Sequence, residues 1–347
     1  MGNNLPRYKV LPAAIVLLLL IAVSVALWAL LTPSAATGLL LQVTFLDVGQ
    51  GDAAWIKTPD GWDILIDGGK ESEGPGLVSY LQSHGVADIE VLVLSHPHAD
   101  HVGGFITILN NMDVAEALLN CQSSDTLTYK EFETLLVAKE VITTCVRDGH
   151  NFTWGEYISA SAVNPAEPLM SGTGSDSSDK NNNSVVLRIT YGSIDFLFTG
   201  DVQSEAEAAI LGREAALEAE VLKVAHHGSN SSSTTGFLSQ VDPEVAIISV
   251  GASNPYGHPA PETLQRLGDA DATIYRTDLH GTIVITTDGT TYSVQPEFSY
   301  FLHLPLVMKG WLSPPTPWAT LLESQWRLSA PYLTKVVAWL RVSGAAP

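Results

Sequence analysis

Cysteine is nearly absent from this chain: among 347 residues only Cys121 and Cys145 carry sulfhydryl sulfur. No histidine or further cysteine flanks either at ligand spacing, which excludes thiolate metal centres of the zinc-finger kind. Each follows a β-like run, Ala117-Leu-Leu-Asn120 and Val141-Ile-Thr-Thr144. A disulfide between neighbouring strands and two buried free thiols stand as equal readings. Basic residues are scarce too. Lys and Arg number 17 against 37 Asp and Glu, a formal net charge of −20. Such a surface repels polyanions, which excludes strong non-specific duplex binding through a basic groove. It leaves room for a nuclease whose positive potential comes from bound divalent cations. No internal repeat stands out, so an array of stacked repeats is excluded.

Long apolar runs are absent with one exception. Leu11 to Leu31 holds no charge, follows Arg7 and Lys9, and precedes Thr32-Pro33. About twenty apolar residues cross a bilayer as a helix, and positive charge on the leading flank keeps that end in the cytoplasm. The expectation is an N-terminal transmembrane helix, single-pass in the cell membrane, with everything after residue 32 extracytoplasmic. Cleavage after Ala36, within Ser34-Ala35-Ala36, is the alternative and would secrete the remainder. The chain therefore divides into a cytoplasmic stub with anchor or signal segment (1–37), a body (38–295), and a Trp- and Pro-rich tail (296–347). With 46% hydrophobic residues the body can fill one large core. In the tail, Trp311, Trp318, Trp326 and Trp339 suit either a membrane-interface contact or packing onto the body.

Imidazole, by contrast, is concentrated. Ser95-His-Pro-His-Ala-Asp-His-Val-Gly-Gly104 places His96, His98, Asp100 and His101 within six residues. The preceding Val91-Leu-Val-Leu94 reads as a buried strand, and Gly103-Gly104 reads as the opening of a helix. A turn after a strand aims these side chains at one point, and neutral imidazole with carboxylate is what a divalent metal takes. The ligands pair as His96/His98 and Asp100/His101, which predicts two adjacent metals.

That motif, with Ile64-Leu-Ile-Asp-Gly-Gly69 before it and Phe198-Thr-Gly-Asp201 after it, resembles the metallo-β-lactamase superfamily. Leu46-Asp-Val-Gly-Gln-Gly-Asp52, Ala225-His-His-Gly-Ser229 and Tyr256-Gly-His-Pro259 narrow the resemblance. They are similar to the extracellular metallo-β-lactamase-like domain of ComEC-type DNA-internalisation competence proteins, over about residues 39–295. The multi-span channel part of those proteins is not in this sequence, which weighs against a transport role; a separate DNA-uptake channel protein is the partner the capture reading expects.

The resemblance implies an α/β fold, the αββα four-layer sandwich, with Asp67 at the superfamily's first motif and Asp201 bridging both metals. His258 is expected as outer ligand of the Asp100/His101 metal. His226 is expected to complete the first metal site or protonate a leaving alkoxide, with His227 an open second candidate that contacts substrate. Ser229 and Asn183 are expected to orient phosphoryl oxygens, Asn183 and Asp100 also being catalytic candidates. One departure stands out. The superfamily's hydrolytic members carry a third-motif His between the cluster and the bridging Asp, whereas this chain has Asn181-Asn-Asn-Ser184 there. A ligand set of N and O alone suits Zn²⁺ or Mn²⁺.

The expected activity is metal-dependent hydrolysis of phosphodiester bonds in extracellular DNA. Two rivals stay open: a phosphodiesterase on small or cell-envelope phosphodiesters, and a module that captures DNA for uptake. Elsewhere, Met170 to Asn183 reads as a loop, and Ser204 to Ala219 as a helix with Ser204 as N-cap and a solvated glutamate face.

Overall fold

Strands buried on both faces set the layering. Val91 and Val93 pack into one apolar cluster while Leu92 and Leu94 pack into another, and Phe196/Phe198 and Leu197 divide in the same way. Side chains alternate across a strand, so each sheet must be covered on both sides. The structure, a computed structural model, describes residues 39–297. The apolar run at 11–31 and the tail beyond 297 lie outside the described residues. Among the described residues, no helix is long and apolar enough to cross a membrane.

Fifteen strands build two mixed sheets among the described residues. Those of the first are β1 (Leu41–Phe45), β2 (Ala53–Lys57), β3 (Asp63–Gly68), β4 (Asp88–Leu94), β5 (Asp113–Leu119) and β6 (Ile142–Cys145). The second contains β7 (Asn151–Trp154), β8 (Ile158–Asn164), β9 (Val186–Tyr191), β10 (Ile194–Phe198), β11 (Val221–Lys223), β12 (Val245–Ile248) and β13 (Thr273–Arg276). The chain then returns to the first sheet through β14 (Thr282–Thr287) and β15 (Tyr292–Glu297), giving the order β15-β14-β1-β2-β3-β4-β5-β6. The second sheet runs β13-β12-β11-β10-β9-β8-β7. The two repeat one plan: antiparallel pairing up to β3 or β10, then parallel pairing outward from it.

Helices α1 (Gly74–Ser83), α2 (Ala99–Asn111) and α3 (Leu127–Ala138) cover the outer face of the first sheet through Leu81, Phe105 and Phe132. After the short α4 (Asp176–Asn182), helices α5 (Ser204–Gly212), α6 (Thr235–Val241) and α7 (Pro261–Asp269) cover the second through Ile210, Phe237 and Leu267. Between the sheets lie Phe45, Ile56, Ile64, Ile189 and Phe198, with Phe45 and Phe198 stacked at 5.6 Å. The layers are therefore helix, sheet, sheet, helix.

Several local expectations are corrected. Gly103 and Gly104 do not open α2, which starts at Ala99. Their role is close approach: a Cβ on Gly104 would lie 2.0 Å from the Gly68 carbonyl oxygen, and one on Gly103 2.3 Å from the Glu71 nitrogen. The segment 170–183 is not all loop. Ser175 caps α4 by accepting from the Ser178 N–H (3.1 Å), and Asp176 and Asp179 sit in its first turn. Helix α5 stops at Gly212 rather than 219, and Gln203, not Ser204, is its N-cap. Arg213 turns away there to reach Val163 O (2.8 Å) and Asp148 (2.8 Å). The glutamates of α5 are not uniformly solvated either, because Glu207 is wholly buried. Cys121 and Cys145 form a disulfide that ties the end of β6 to the loop after β5, with Cα atoms 5.4 Å apart.

Candidate metal centre

The site lies at the carboxyl ends of the parallel strands of both sheets, where α/β folds place their ligands. Strand β4 delivers Ser95 and His96; His98 caps α2, with Asp100 and His101 in its first turn. Strand β10 leads through Thr199 and Gly200 to Asp201. A turn after β11 holds His226 and His227, both left-handed at φ 50° and 53°. Non-glycine residues rarely adopt that conformation, and it persists where packing over-determines it. Here it aims both rings inward.

Asp201 is the hub. Its Oδ2 lies 3.4 Å from His101 Nε2, 3.6 Å from His227 Nε2, 3.8 Å from His96 Nε2 and 3.9 Å from His226 Nε2. Asp100 Oδ2 lies 3.5 Å from His227 Nε2. Behind the rings stand groups that fix their tautomers. Asp67, left-handed at φ 56°, accepts from His101 Nδ1 (2.9 Å) and from the N–H and hydroxyl of Ser95 (2.8 and 2.7 Å). His227 Nδ1 donates to Ser249 O (3.0 Å) and faces Asp52 Oδ1 (3.1 Å). A proton on Nδ1 leaves the Nε2 lone pair pointing at the centre, the arrangement found behind metal-ligating histidines. Asp52 is in turn ion-paired with Lys223 Nζ at 2.7 Å, both side chains being about 5% exposed.

Among the described residues four sets of potential ligand atoms lie within 4.8 Å of one another: His96, His101 and Asp201; Asp100, His101 and His227; Asp52, Asp67 and His101; and Asp52, Asp201 and His227. His101 Nε2, His227 Nε2 and Asp201 Oδ1 are buried with no hydrogen-bond partner. Buried polar atoms are ordinarily satisfied. Four carboxylates (Asp52, Asp67, Asp100, Asp201) meet here, and Lys223 is ion-paired with one of them. The remaining positive charge must come from imidazolium protons or from cations. Burial opposes charge on His101 and His227, yet Asp201 with Asp67 or Asp52 outweighs it, holding His101 well above the ordinary range and His227 at about 10. Burial likewise opposes charge on Asp201, but the surrounding imidazoles hold it well below the carboxylate range. Burial pushes His96 and His98 down. The residues fit a pair of divalent cations in charge, donor type and convergence.

Not every expected residue takes its expected place. His227, rather than His258, stands beside Asp100 and His101. His258 sits at the rim, its ring 6.5 Å from His227 and 5.6 Å from His226, its buried Nδ1 unpartnered, and burial pushes its pKa down to about 4. His226 is at the inner wall, with Nδ1 3.4 Å from Gln203 Nε2. Asn183 does not face the site: its amide is spent on Met170 N (2.8 Å), Met170 O (2.9 Å) and Gln122 (3.2 Å). Asn181 faces it instead, with Nδ2 3.5 Å from His226 Nε2. Ser229 turns to Ser231 (3.0 Å) and lies outside the cleft. Sequence reading also passed over Asp52 and Lys223. A charge within the apolar run Val221-Leu-Lys-Val-Ala225 was the available signal for the latter, since a lysine in a central strand needs a partner.

Above the cluster opens a cleft of about 380 Å³, its walls including Gln50, His98, Thr126, Asn181, Tyr256 and His258. Residues 46–118, which carry β2 to β4, most of β5 and the histidine cluster, match the metallo-β-lactamase superfamily. The domain has a metallo-β-lactamase-type fold. The chain is also similar to competence proteins. It is 29% identical over 278 residues to ComE operon protein 3 of Bacillus subtilis, covering 74% of this chain and 34% of that protein. To competence protein ComA of Neisseria gonorrhoeae it is 29% identical over 289 residues, covering 78% and 37%. The chain thus spans about a third of the length of the curated relatives it matches. Among solved structures, the metallo hydrolase Igni18 of Ignicoccus hospitalis aligns with a TM-score of 0.45 at 17% identity, covering 71% of this chain and 98% of that one.

Proposed function

We propose that this metallo-β-lactamase-type domain is a binuclear phosphodiesterase whose substrate is DNA, acting outside the membrane that residues 11–31 would span. The observation that carries the reading is the convergence of four imidazole Nε2 atoms, 3.4–3.9 Å from Asp201 Oδ2, on one buried carboxylate. His96, His98, His101 and Asp201 would hold one cation; Asp100, His101 or His227, and Asp201 the other. Bound divalent cations, Mn²⁺ or Zn²⁺, supply a water of lowered pKa and neutralise charge on the phosphoryl oxygens. The protein does the rest. Asp67 and Asp52 keep protons on the Nδ1 atoms of His101 and His227, so that both Nε2 lone pairs stay turned inward. Asn181 presents an amide to the cleft, where it would donate to a non-bridging oxygen. Gln203 Nε2, 3.4 Å from His226 Nδ1, holds the His226 ring at the inner wall of the cleft, where it would protonate the leaving alkoxide.

The relationship to competence proteins supports DNA over other diesters. A second reading, small or envelope phosphodiesters, is favoured by the cleft walls, among which no Lys or Arg is found. The test is cleavage of plasmid and single-stranded DNA by the full-length chain, stripped of metal and reloaded with Mn²⁺ or Zn²⁺, beside Asp100→Ala. Cleavage restored by metal and lost in the variant supports the nuclease. A folded protein that binds two metals and cleaves only small diesters selects the second reading, and full activity of Asp100→Ala overturns both.

A further inference from the structure

At the mouth of the cleft an aromatic ring stands in solvent with one face against His258. Tyr256 is 66% exposed, and no hydrogen bond to its hydroxyl is found among the described residues. Its loop, however, is built to hold it. The Asn254 side chain donates to Gly251 O (3.0 Å) and His258 O (2.6 Å) and accepts from the N–H groups of Tyr256 (3.1 Å) and His258 (3.0 Å). That amide is fully spent on fixing the backbone on either side of the ring. The rings then descend in steps: Tyr256 stacks on His258 at 5.7 Å and 27°, and His258 on His227 at 6.5 Å and 29°. The staircase ends at the ring that faces Asp100 and Asp201.

An exposed ring on a rigid loop, leading toward a phosphodiester centre, has one evident use. We propose that Tyr256 is the specificity-determining platform on which an unpaired nucleobase of the substrate stacks while the adjacent phosphate lies over the cluster. The proposal rests on the phosphodiesterase reading and narrows it to single-stranded DNA or nucleotides, because a base inside a duplex has no free face. Charge supports it. With −20 overall and no Lys or Arg among the cleft walls, backbone attraction is weak, and affinity must come from the metals and from apolar faces. Stacking on an aromatic side chain is sequence-tolerant and changes affinity by roughly five- to a hundredfold per base.

The test compares wild type, Tyr256→Phe and Tyr256→Ala as metal-loaded, full-length chains. Kinetics on thymidine 5′-p-nitrophenyl phosphate are set beside those on methyl p-nitrophenyl phosphate, which has the same leaving group and no base. The expected result is a KM for the thymidine ester raised about tenfold or more by Tyr256→Ala, a several-fold smaller rise for the methyl ester, and near-complete retention by Tyr256→Phe. Binding of a phosphorothioate single strand and its abasic counterpart, followed by fluorescence anisotropy, supplies a readout that needs no turnover. Base-dependent binding lost in Tyr256→Ala supports the platform even if neither ester is cleaved, in which case only the phosphodiesterase reading falls. Equal losses on both esters, or binding indifferent to bases or to the substitution, overturn the platform and leave that reading intact.

Discussion

Asp52→Asn removes the carboxylate from a buried pair and leaves the Lys223 ammonium with little else. The two charges are 2.7 Å apart, with side chains 5% and 6% exposed, and Lys223 keeps one further bond, to Val224 O at 2.9 Å. Breaking such a pair from one side costs about 3–5 kcal/mol, because the surviving charge stays buried and uncompensated. For a domain of this size each kcal/mol lowers Tm by roughly 2–4 °C, so a fall on the order of 6–20 °C is expected in metal-free protein. Removing both charges relieves most of that penalty. The double variant Asp52→Asn/Lys223→Met should therefore be more stable than Asp52→Asn alone. Urea denaturation of wild type, both single variants and the double closes the thermodynamic cycle. A single Asp52→Asn loss below about 1 kcal/mol, or a double equal to the sum of its singles, would refute the argument that the pair is mutually dependent. The pH dependence has a definite sign. Burial opposes ionisation of Asp52, but Lys223 and His227 outweigh it and hold its pKa below the ordinary 3.8. Its contribution is thus present above 3.8 and lost as pH falls through the lower folded value. Asp52→Asn should flatten the stability profile on that acid side.

Other outcomes follow from the same contacts. Asp201→Asn should weaken divalent-cation binding by at least about a hundredfold in calorimetry, since it removes charge from the carboxylate on which four imidazole Nε2 atoms converge. Asn181→Ala should lower kcat with little change in urea midpoint, whereas Asn183→Ala should cost about 1–3 kcal/mol of stability because Met170 N and O lose their partner. Glu207 accepts from the N–H groups of Ser233 and Thr234 (2.8 Å for the latter), so Glu207→Ala strands two buried donors and should cost about 2–4 kcal/mol by thermal or urea unfolding. Burial pushes the Glu207 pKa above the ordinary 4.5, so stability is lost as pH rises from there through its folded value. A Glu207→Gln profile that keeps the wild-type slope across that window would count against the assignment.

The buried strands and the histidine–aspartate cluster after β4 were legible because each is a local property. Val91-Leu-Val-Leu94 declares a strand covered on both faces, and a strand followed by His96, His98, Asp100 and His101 can only gather those side chains at its end. What tertiary structure decided concerns residues whose meaning depends on distant partners. Met170 to Asn183 has a loop's composition, yet a serine cap starts a seven-residue helix there. His226 and His227 are adjacent and chemically alike. Only the left-handed turn and Asp52, far away in sequence, send His227 into the Asp100/His101 site. Asn181 and Asn183 are two residues apart in a run of three asparagines. Hydrogen bonds to the Met170 N–H and carbonyl engage one of them and leave the other to face the cleft. Likewise Lys223 and Asp52 lie on strands and loops of different sheets, and nothing near either one names its counter-charge. Sequence determines which groups are available for chemistry; the closing of one sheet over the other determines which of them meet, because a buried charge or amide takes whichever partner the fold brings within hydrogen-bonding distance.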